Sequence, residues 1–428
     1  MIAIVDYKDR AERLNKILSR SASFSPEVDE AVRGIIDATI AQGDVALREF
    51  TERFDGVIPA TLSVPAEAME RASSEMDAEL RAIIQEAAQN IRRFHERQRQ
   101  NSWFTDDGDG VVLGQRIVPI ERVGLYVPGG KAFYPSSLLM NAIPAQVAGV
   151  PNIYVVSPPG PDGLPHTLVL ATAHLLGLKH VYAVGGAQAI AALAYGTESI
   201  PKVDKIAGPG NAYVAAAKKM VYGTVDIDSV AGPSEIVVLA DDTAAPEFIA
   251  ADLLSQAEHD ERASAILVTP SRELAYAVRT CIEQTAPGLP RHDILERSLA
   301  DYSACIVTET LGEAVDMVNE LAPEHLEIVV HDPWETMTRI RHAGAIFLGA
   351  YSSEPVGDYF AGPNHVLPTG GTARYASALS VDDFIRKQSI IAYTRDRLRE
   401  TGPRIVRFAE SESLSAHALA IQVRLDRM

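Results

Sequence analysis

Cysteine is nearly absent from this chain, with two residues, Cys281 and Cys305, in 428. Both sit in ordinary apolar-rich segments and neither forms a Cys-x-x-Cys pattern, so no disulfide framework is implied and a reducing cytoplasm fits. Long apolar runs are also missing. No stretch approaches the roughly 18 residues that a membrane span needs. The opening Met-Ile-Ala-Ile-Val-Asp-Tyr-Lys-Asp-Arg has no basic region ahead of an apolar run, so no signal peptide is expected. Positive charge is scarce: 39 Lys and Arg against 57 Asp and Glu leave a net −18. Nucleic-acid phosphates would be repelled, which argues against such a partner. Heptads and solenoid repeats are absent, and so is the G-x-G-x-x-G dinucleotide fingerprint.

What is present is length and apolar content. A chain of 428 residues calls for two or three domains. Residues 7–20 read as a short polar helix. Ser25 can cap, and Pro26 open, a helical stretch over 26–55, with Val28, Ala31, Val32, Ile35, Ile36 and Ile40 on one stripe. Residues 66–100 repeat that pattern and end in Arg92-Arg93-Phe94-His95-Glu96-Arg97, a charged run that reads as a solvated helix face.

From about residue 111 strands alternate with helices. Tyr126-Val127-Pro128-Gly129-Gly130-Lys131, Gly185-Gly186-Ala187-Gln188 and Gly208-Pro209-Gly210-Asn211 each follow a strand and open a helix. The helix over 135–148 is expected to be interrupted at Pro144. After a border near 230–236 the alternation resumes, with strands at 235–240, 264–269, 303–308, 326–330 and 344–348. Such alternation is the form of a parallel α/β sheet. Residues 350–378 are rich in Gly, Pro and Ser with little periodicity, and a loop that long is often functional. The last segment, 380–428, reads as helices at Val381–Lys387 and about 403–424.

Several residues could carry chemistry. Gln256 and His259 stand three apart on a predicted helix, so an amide oxygen and an imidazole leave one face. That pair could hold a borderline cation such as zinc, but a catalytic zinc wants three or more protein ligands. Asp358, His365 and His417 are candidates downstream; each could equally be an ordinary loop or surface residue. Glu324-His325 precedes a strand, where an acid and an imidazole could divide two proton-handling tasks. The three Gly-rich loops present backbone N–H groups and a helix N-terminus to an anion at a shared rim, though any one of them could be a plain strand-to-helix turn. His417 lies five residues after Glu412, so on one ideal helix the two would point apart. His95, His166, His174, His180, His292, His331 and His342 receive no role.

Together, these stretches resemble the histidinol dehydrogenase family over nearly the whole chain. The most specific are Tyr126-Val127-Pro128-Gly129-Gly130-Lys131, Gly208-Pro209-Gly210-Asn211-Ala212-Tyr213-Val214, Ala231-Gly232-Pro233-Ser234-Glu235, Gln256-Ala257-Glu258-His259-Asp260, Ala322-Pro323-Glu324-His325-Leu326-Glu327 and Gly357-Asp358-Tyr359-Phe360-Ala361-Gly362-Pro363-Asn364-His365. The resemblance implies a zinc-dependent, NAD-linked, four-electron oxidation of L-histidinol to L-histidine through L-histidinal. It implies zinc on Gln256, His259, Asp358 and His417, with the substrate bound through its imidazole and amino nitrogens. His325 would be the base for the alcohol, and Glu324 would activate water. Ser234, His365 and Glu412 would contact substrate, and Tyr126, Gln188 and Asn211 would contact NAD. A homodimer is implied, its C-terminal tail reaching the partner's site.

The fold class expected is α/β, with two Rossmann-like parallel-sheet domains of aldehyde-dehydrogenase-like type, lacking the fingerprint, plus helical N-terminal and C-terminal segments. The domains expected are an N-terminal helical segment over 1–20, a first α/β domain from 21–125 and 237–379 carrying the metal and acid–base residues, an NAD-binding domain over 126–236, and a helical tail over 380–428. Ser413 stands where the family usually has glycine, a change that leaves Glu412 and His417 in place and is read as tolerated; Phe133 and Gln146 also differ from the commonest family residues. Two rivals are a relative oxidising another primary alcohol, such as a hydroxylated sulfonate, and a catalytically idle binding or assembly protein. Ser234, His365 and Glu412 favour histidinol, and the complete set of presumed ligands and bases opposes the idle reading.

Overall fold

The computed structural model describes residues 1–20, 25–129 and 134–428. Gly130 and Lys131 of the first Gly-rich turn, and Phe133, lie outside the described residues. The chain forms two compact units, residues 1–98 with 121–383 and residues 99–120 with 384–428.

The first unit carries β1 (Ala3–Asp6), β4 (Arg122–Tyr126), β5 (Asn152–Ser157), β6 (His180–Ala183), β7 (Lys205–Ala207), β8 (Asp226–Ile227), β9 (Glu235–Ala240), β10 (Ser264–Thr269), β11 (Ala304–Val307), β12 (His325–Val329) and β13 (Ala345–Leu348). The second carries β2 (Trp103–Asp106), β3 (Val111–Pro119) and β14 (Ile385–Tyr393). Two sheets of the first unit are parallel throughout, in the orders β1-β11-β10-β9-β12-β13 and β6-β5-β4-β7-β8. The protein is therefore α/β with two parallel sheets and mostly helical termini. Once β1 has taken one edge of the larger sheet, the chain enters each sheet inside, at β9 or β4, winds outward on one side, then crosses to the other. That leaves a topological switch point between β9 and β12 and another between β4 and β7. Every residue of β9 and β10 is buried, as expected for strands covered on both faces. The helices Pro246–Ala257 and Arg272–Thr285 cover one face of the larger sheet, and Ala11–Ser19 and Leu311–Leu321 cover the other.

Four differences from the expectations have physical causes. First, residues 1–20 are not purely helical: β1 pairs with β11, about 300 residues away, a pairing that no local pattern encodes. Second, Val32, Ile35, Ile36 and Leu47 share a core with the helix Gly186–Tyr195 and the smaller sheet. Grouping all of 21–125 with 237–379 does not describe their packing, because an apolar stripe does not specify which sheet it covers. Third, the helix Pro135–Ala148 runs through Pro144 without interruption. Proline removes the donor that Met140 O would accept from; the Asn364 side chain supplies a replacement, Nδ2 to O, at 2.6 Å. Fourth, His95 is not on a solvated face but fully buried. Its Nδ1 donates to Ile91 O at 2.8 Å and its Nε2 faces Asn364 Nδ2 at 3.3 Å. Asn364 thus ties two helices to the loop that holds His365.

Burial pushes His95 below its ordinary range, more than its backbone hydrogen bonds to Ile91 and Leu379 raise it. The unfolded chain protonates near 6.5 and the folded chain lower. The stability held above pH 6.5 should therefore be lost as pH falls through the depressed folded value. Urea unfolding at pH 7.5 and 5.5 should show a smaller pH-dependent loss for His95→Gln than for the parent. Equal losses would remove His95 as the responsible group.

The second unit is a three-stranded antiparallel sheet, β14-β3-β2, followed by the helices Arg395–Ser411 and Ser415–Leu425. Residues 385–387 are strand rather than helix: β14 pairs with β3 over nine residues, and its Ile385, Ile390, Ile391 and Tyr393 are β-formers. The expected single helix over 403–424 is two, broken after Glu412. Ser413 N–H donates to Glu410 O and Leu414 N–H to Ala409 O, the paired bonds of a Schellman cap. Ser413 has φ 62°, the left-handed conformation in which glycine is relaxed and a β-carbon is strained. The residue is thus accommodated at a cost. Ser413→Gly should stabilise the protein by about 1 kcal/mol, read as a higher thermal midpoint; an unchanged or lower midpoint would contradict this.

Candidate active site

The helix Leu311–Leu321 ends on Ala322, a non-glycine residue at φ 49°. Pro323 follows, and the tight turn delivers Glu324 and His325 to the amino end of β12. There they meet the amino end of the neighbouring β9, with His325 opposite Ile236. The main chain of one residue, Glu235, contacts both side chains through its two flanking peptide groups. Glu235 N–H donates to Glu324 Oε2 at 2.9 Å, and Glu235 C=O accepts from His325 Nδ1 at 3.0 Å. A carbonyl can only accept, so Nδ1 carries the hydrogen and a neutral ring presents its lone pair at Nε2. That atom is buried without a hydrogen-bond partner, 3.8 Å from Asp358 Oδ1.

The metal candidates gather at the same edge. The helix Pro246–Ala257 runs back antiparallel to β9, so its last turn returns to the amino ends of the strands. Gln256 is buried and its Oε1 has no partner. His259 follows the helix; its Nδ1 donates to Ser255 O at 2.9 Å, which leaves Nε2 free. Asp358 lies in a π-type turn, Gly357–Ala361. Ligand atoms of His259, Glu354 and Asp358 all lie within 4.8 Å of one another. Glu354, which the sequence reading missed, is 2% exposed and accepts from Ser255 Oγ at 3.0 Å. Its one sequence signal was a lone acid four residues before Asp358 in the Gly- and Pro-rich loop. His365 is half-buried, its enclosed Nδ1 3.8 Å from Asp358 Oδ1. Burial pushes it below its ordinary range despite Asp358.

The electrostatics are short of positive charge. Burial pushes Glu324 up to about 8, against the pull of His325. Burial disfavours the charged form of His325 as well, but Glu324, Asp358 and Glu354 outweigh it and raise the group to about 10. Glu354 is raised by burial and then by Asp358. Behind them Glu327, on the same face of β12 as His325, is pushed up to about 9 by burial and by Asp252; its Oε1 accepts from Glu354 N at 2.7 Å. Several carboxyls around one imidazole, with an orphaned amide oxygen and a free imidazole nitrogen, form a donor set that fits a divalent cation of zinc type.

A second locus lies at the carboxyl end of the smaller sheet. Tyr126 ends β4, and its hydroxyl accepts from Gly186 N at 3.1 Å. Gly208, after β7, has φ 118°, and a β-carbon there would lie 2.1 Å from Tyr126 O. Its N–H donates to Asp228 Oδ2 at 2.8 Å and its C=O accepts from Lys218 Nζ at 2.9 Å; Lys218 and Asp228 form a buried ion pair. The loops beside the β4/β7 switch point are thus held in close contact. Gln188 is buried with neither amide atom partnered, a group that a ligand could satisfy. Asn211 caps the helix Ala212–Val221 through its Oδ1. Ser234 immediately precedes β9, its C=O accepting from Ser264 N at 2.9 Å.

The histidinol dehydrogenase family model matches residues 18–425. The chain is 58% identical to the histidinol dehydrogenase of Geobacillus kaustophilus, over 98% of this chain and 99% of that one. It is 54% identical to that of Bacillus subtilis, over 98% of each. The solved histidinol dehydrogenase of Elizabethkingia anophelis superposes with a TM-score of 0.94 at 38% identity, covering 100% of this chain and 98% of that one. The chain belongs to the histidinol dehydrogenase family. It is therefore an oxidoreductase, and among the described residues no helix is long and apolar enough to cross a membrane.

For this family member, the structure brings Glu324, His325, Gln256, His259, Asp358 and His365 to the β9/β12 edge, together with the unforeseen Glu354. Tyr126, Gln188 and Asn211 belong to the loops and helix starts that follow β4, β6 and β7 in the smaller sheet. Glu412 and His417 belong to the second unit, where Glu412 ends one helix and His417 lies in the next.

Proposed function

We propose that this histidinol dehydrogenase family member oxidises L-histidinol to L-histidine through L-histidinal in the cytoplasm, using two NAD and one zinc per subunit. The observation that carries the reading is the main chain of one residue, Glu235, holding Glu324 by its N–H and His325 by its C=O beside the His259–Glu354–Asp358 donor set and the orphaned Gln256 Oε1. The unpartnered Gln188 amide beside the β4/β7 switch point supports a dinucleotide role for residues 126–236. The free thiols of Cys281 and Cys305 fit a reducing compartment.

Gln256, His259 and Asp358 would hold zinc, with His417 of one protomer completing the site of its partner in a homodimer. When bound, zinc would fix the substrate through its imidazole and amino nitrogens, and NAD would take up a hydride in each oxidation. With a divalent cation beside Asp358 to offset the carboxylates that raise His325, the ring would be neutral and His325 Nε2 would take the alcohol proton, since hydride leaves an alkoxide more readily than an alcohol. Its Nδ1–H stays on the Glu235 carbonyl and keeps the ring in place. Glu324 then removes a proton from the water that hydrates the aldehyde, and the hydrate gives up the second hydride. Ser234, His365 and Glu412 would orient the substrate, Glu412 by pairing with its amine. Tyr126, Gln188 and Asn211 would contact NAD. A buried pocket shared by two chains would limit loss of the aldehyde.

The test is NADH formed per L-histidinol consumed, before and after zinc chelation. Two NADH, lost on chelation and restored by zinc, are expected. One NADH with aldehyde released would sink the role of Glu324. No NADH from histidinol, with turnover of a hydroxylated sulfonate or another primary alcohol, would move the chain to the rival activity.

A further inference from the structure

The residue whose main chain holds Glu324 and His325 is itself held by a buried ion pair. Glu235 is 8% exposed, and its Oε1 accepts from Arg20 Nη2 at 3.0 Å and from Gly370 N at 2.9 Å. Arg20 is 6% exposed and follows the helix Ala11–Ser19. Its Nη1 donates to Ile17 O at 2.6 Å, and its own carbonyl accepts from Arg262. The guanidinium is thus fixed from the N-terminal helix, and the carboxylate is gripped from two directions. Beyond the carboxylate lies the Glu235 main chain, with Glu324 on its N–H and His325 on its C=O.

A buried ion pair is a poor stability device, because desolvation offsets its attraction and an apolar pair often does as well. Its placement here serves geometry instead. We propose that Arg20 and Glu235 are positioning residues: their ion pair fixes the main chain at Glu235 and so sets where Glu324 and His325 meet the substrate. Arg20 also lies within electrostatic reach of Glu324, whose carboxylate it favours. The inference rests on the acid–base reading of Glu324 and His325.

Arg20→Met should lower kcat for histidinol, and for histidinal supplied directly, by about 10- to 100-fold, the effect of a misplacement of about 1 Å. KM for histidinol and NAD should stay within about threefold, with zinc content unchanged. Glu235→Gln keeps an acceptor for Arg20 and Gly370 and should retain most of the activity. If Arg20→Met does not fold, the double variant Arg20→Met/Glu235→Leu replaces the pair by apolar groups and should fold with the same kcat loss. A folded variant with kcat within twofold of the parent would overturn the proposal, as would a parallel loss of zinc and rise in KM. Glu324→Gln and His325→Asn are the controls. If they keep full turnover, the acid–base reading fails; if they lose it while the Arg20 variants do not, this inference alone fails.

Discussion

His325→Asn is expected to reduce kcat for histidinol oxidation by about 10²- to 10⁴-fold, the usual contribution of a positioned general base. Asparagine can still donate to the Glu235 carbonyl in place of Nδ1, so the backbone keeps its partner. What disappears is Nε2, the buried atom with no partner of its own. The loss should shrink with rising pH, because hydroxide raises the alkoxide fraction without help from a base. A steady-state pH series on parent and variant measures both effects. Activity within tenfold of the parent, or a loss independent of pH, would mean that another group takes the proton. Glu324→Gln should differ in kind: the first hydride transfer should persist, and the second should fail for want of activated water.

The second large effect concerns the cation. His259→Asn removes the only imidazole among the His259–Glu354–Asp358 donors, and dialysed protein should lose its zinc along with at least about 100-fold of its activity. Glu354→Gln should be milder. It keeps an oxygen for Ser255 but removes one negative charge, so zinc affinity should fall by about 10- to 100-fold, with activity recovered in excess zinc. Elemental analysis and competition with a chromogenic chelator give affinity independently of turnover. Full zinc occupancy in both variants would place the cation elsewhere.

Much of the architecture is legible in order of residues because it is local. Strands β9 and β10 read as continuous apolar runs because both faces are covered. The helix starts at Pro26 and Pro246 follow from where proline fits. The loops at Gly208 and Gly185 are visible because few residues other than glycine permit such close backbone approach. The motifs around Gln256, Glu324 and Asp358 were sufficient to indicate the family.

The arrangement in space is a different matter. Nothing near Ala3 points to β11, and the β-formers of Ile385–Tyr393 do not name β3 as their partner; strands roughly 270 to 300 residues away decide both. His95 has the sequence context of a solvated face, yet it lies buried against Asn364, whose other bond repairs the helix at Pro144. Glu354 and Glu235 carry no local pattern of their own. The first becomes part of a donor set because a loop returns to the end of the helix Pro246–Ala257. The second comes to hold Glu324 and His325 because β9 and β12 are neighbours. Periodicity and turn chemistry act over a few residues, so the sequence by itself determined most of the elements, the family and most of the candidate residues. Strand order and the closure of loops on one edge depend on contacts between distant segments, so only the tertiary structure decided which groups face one another.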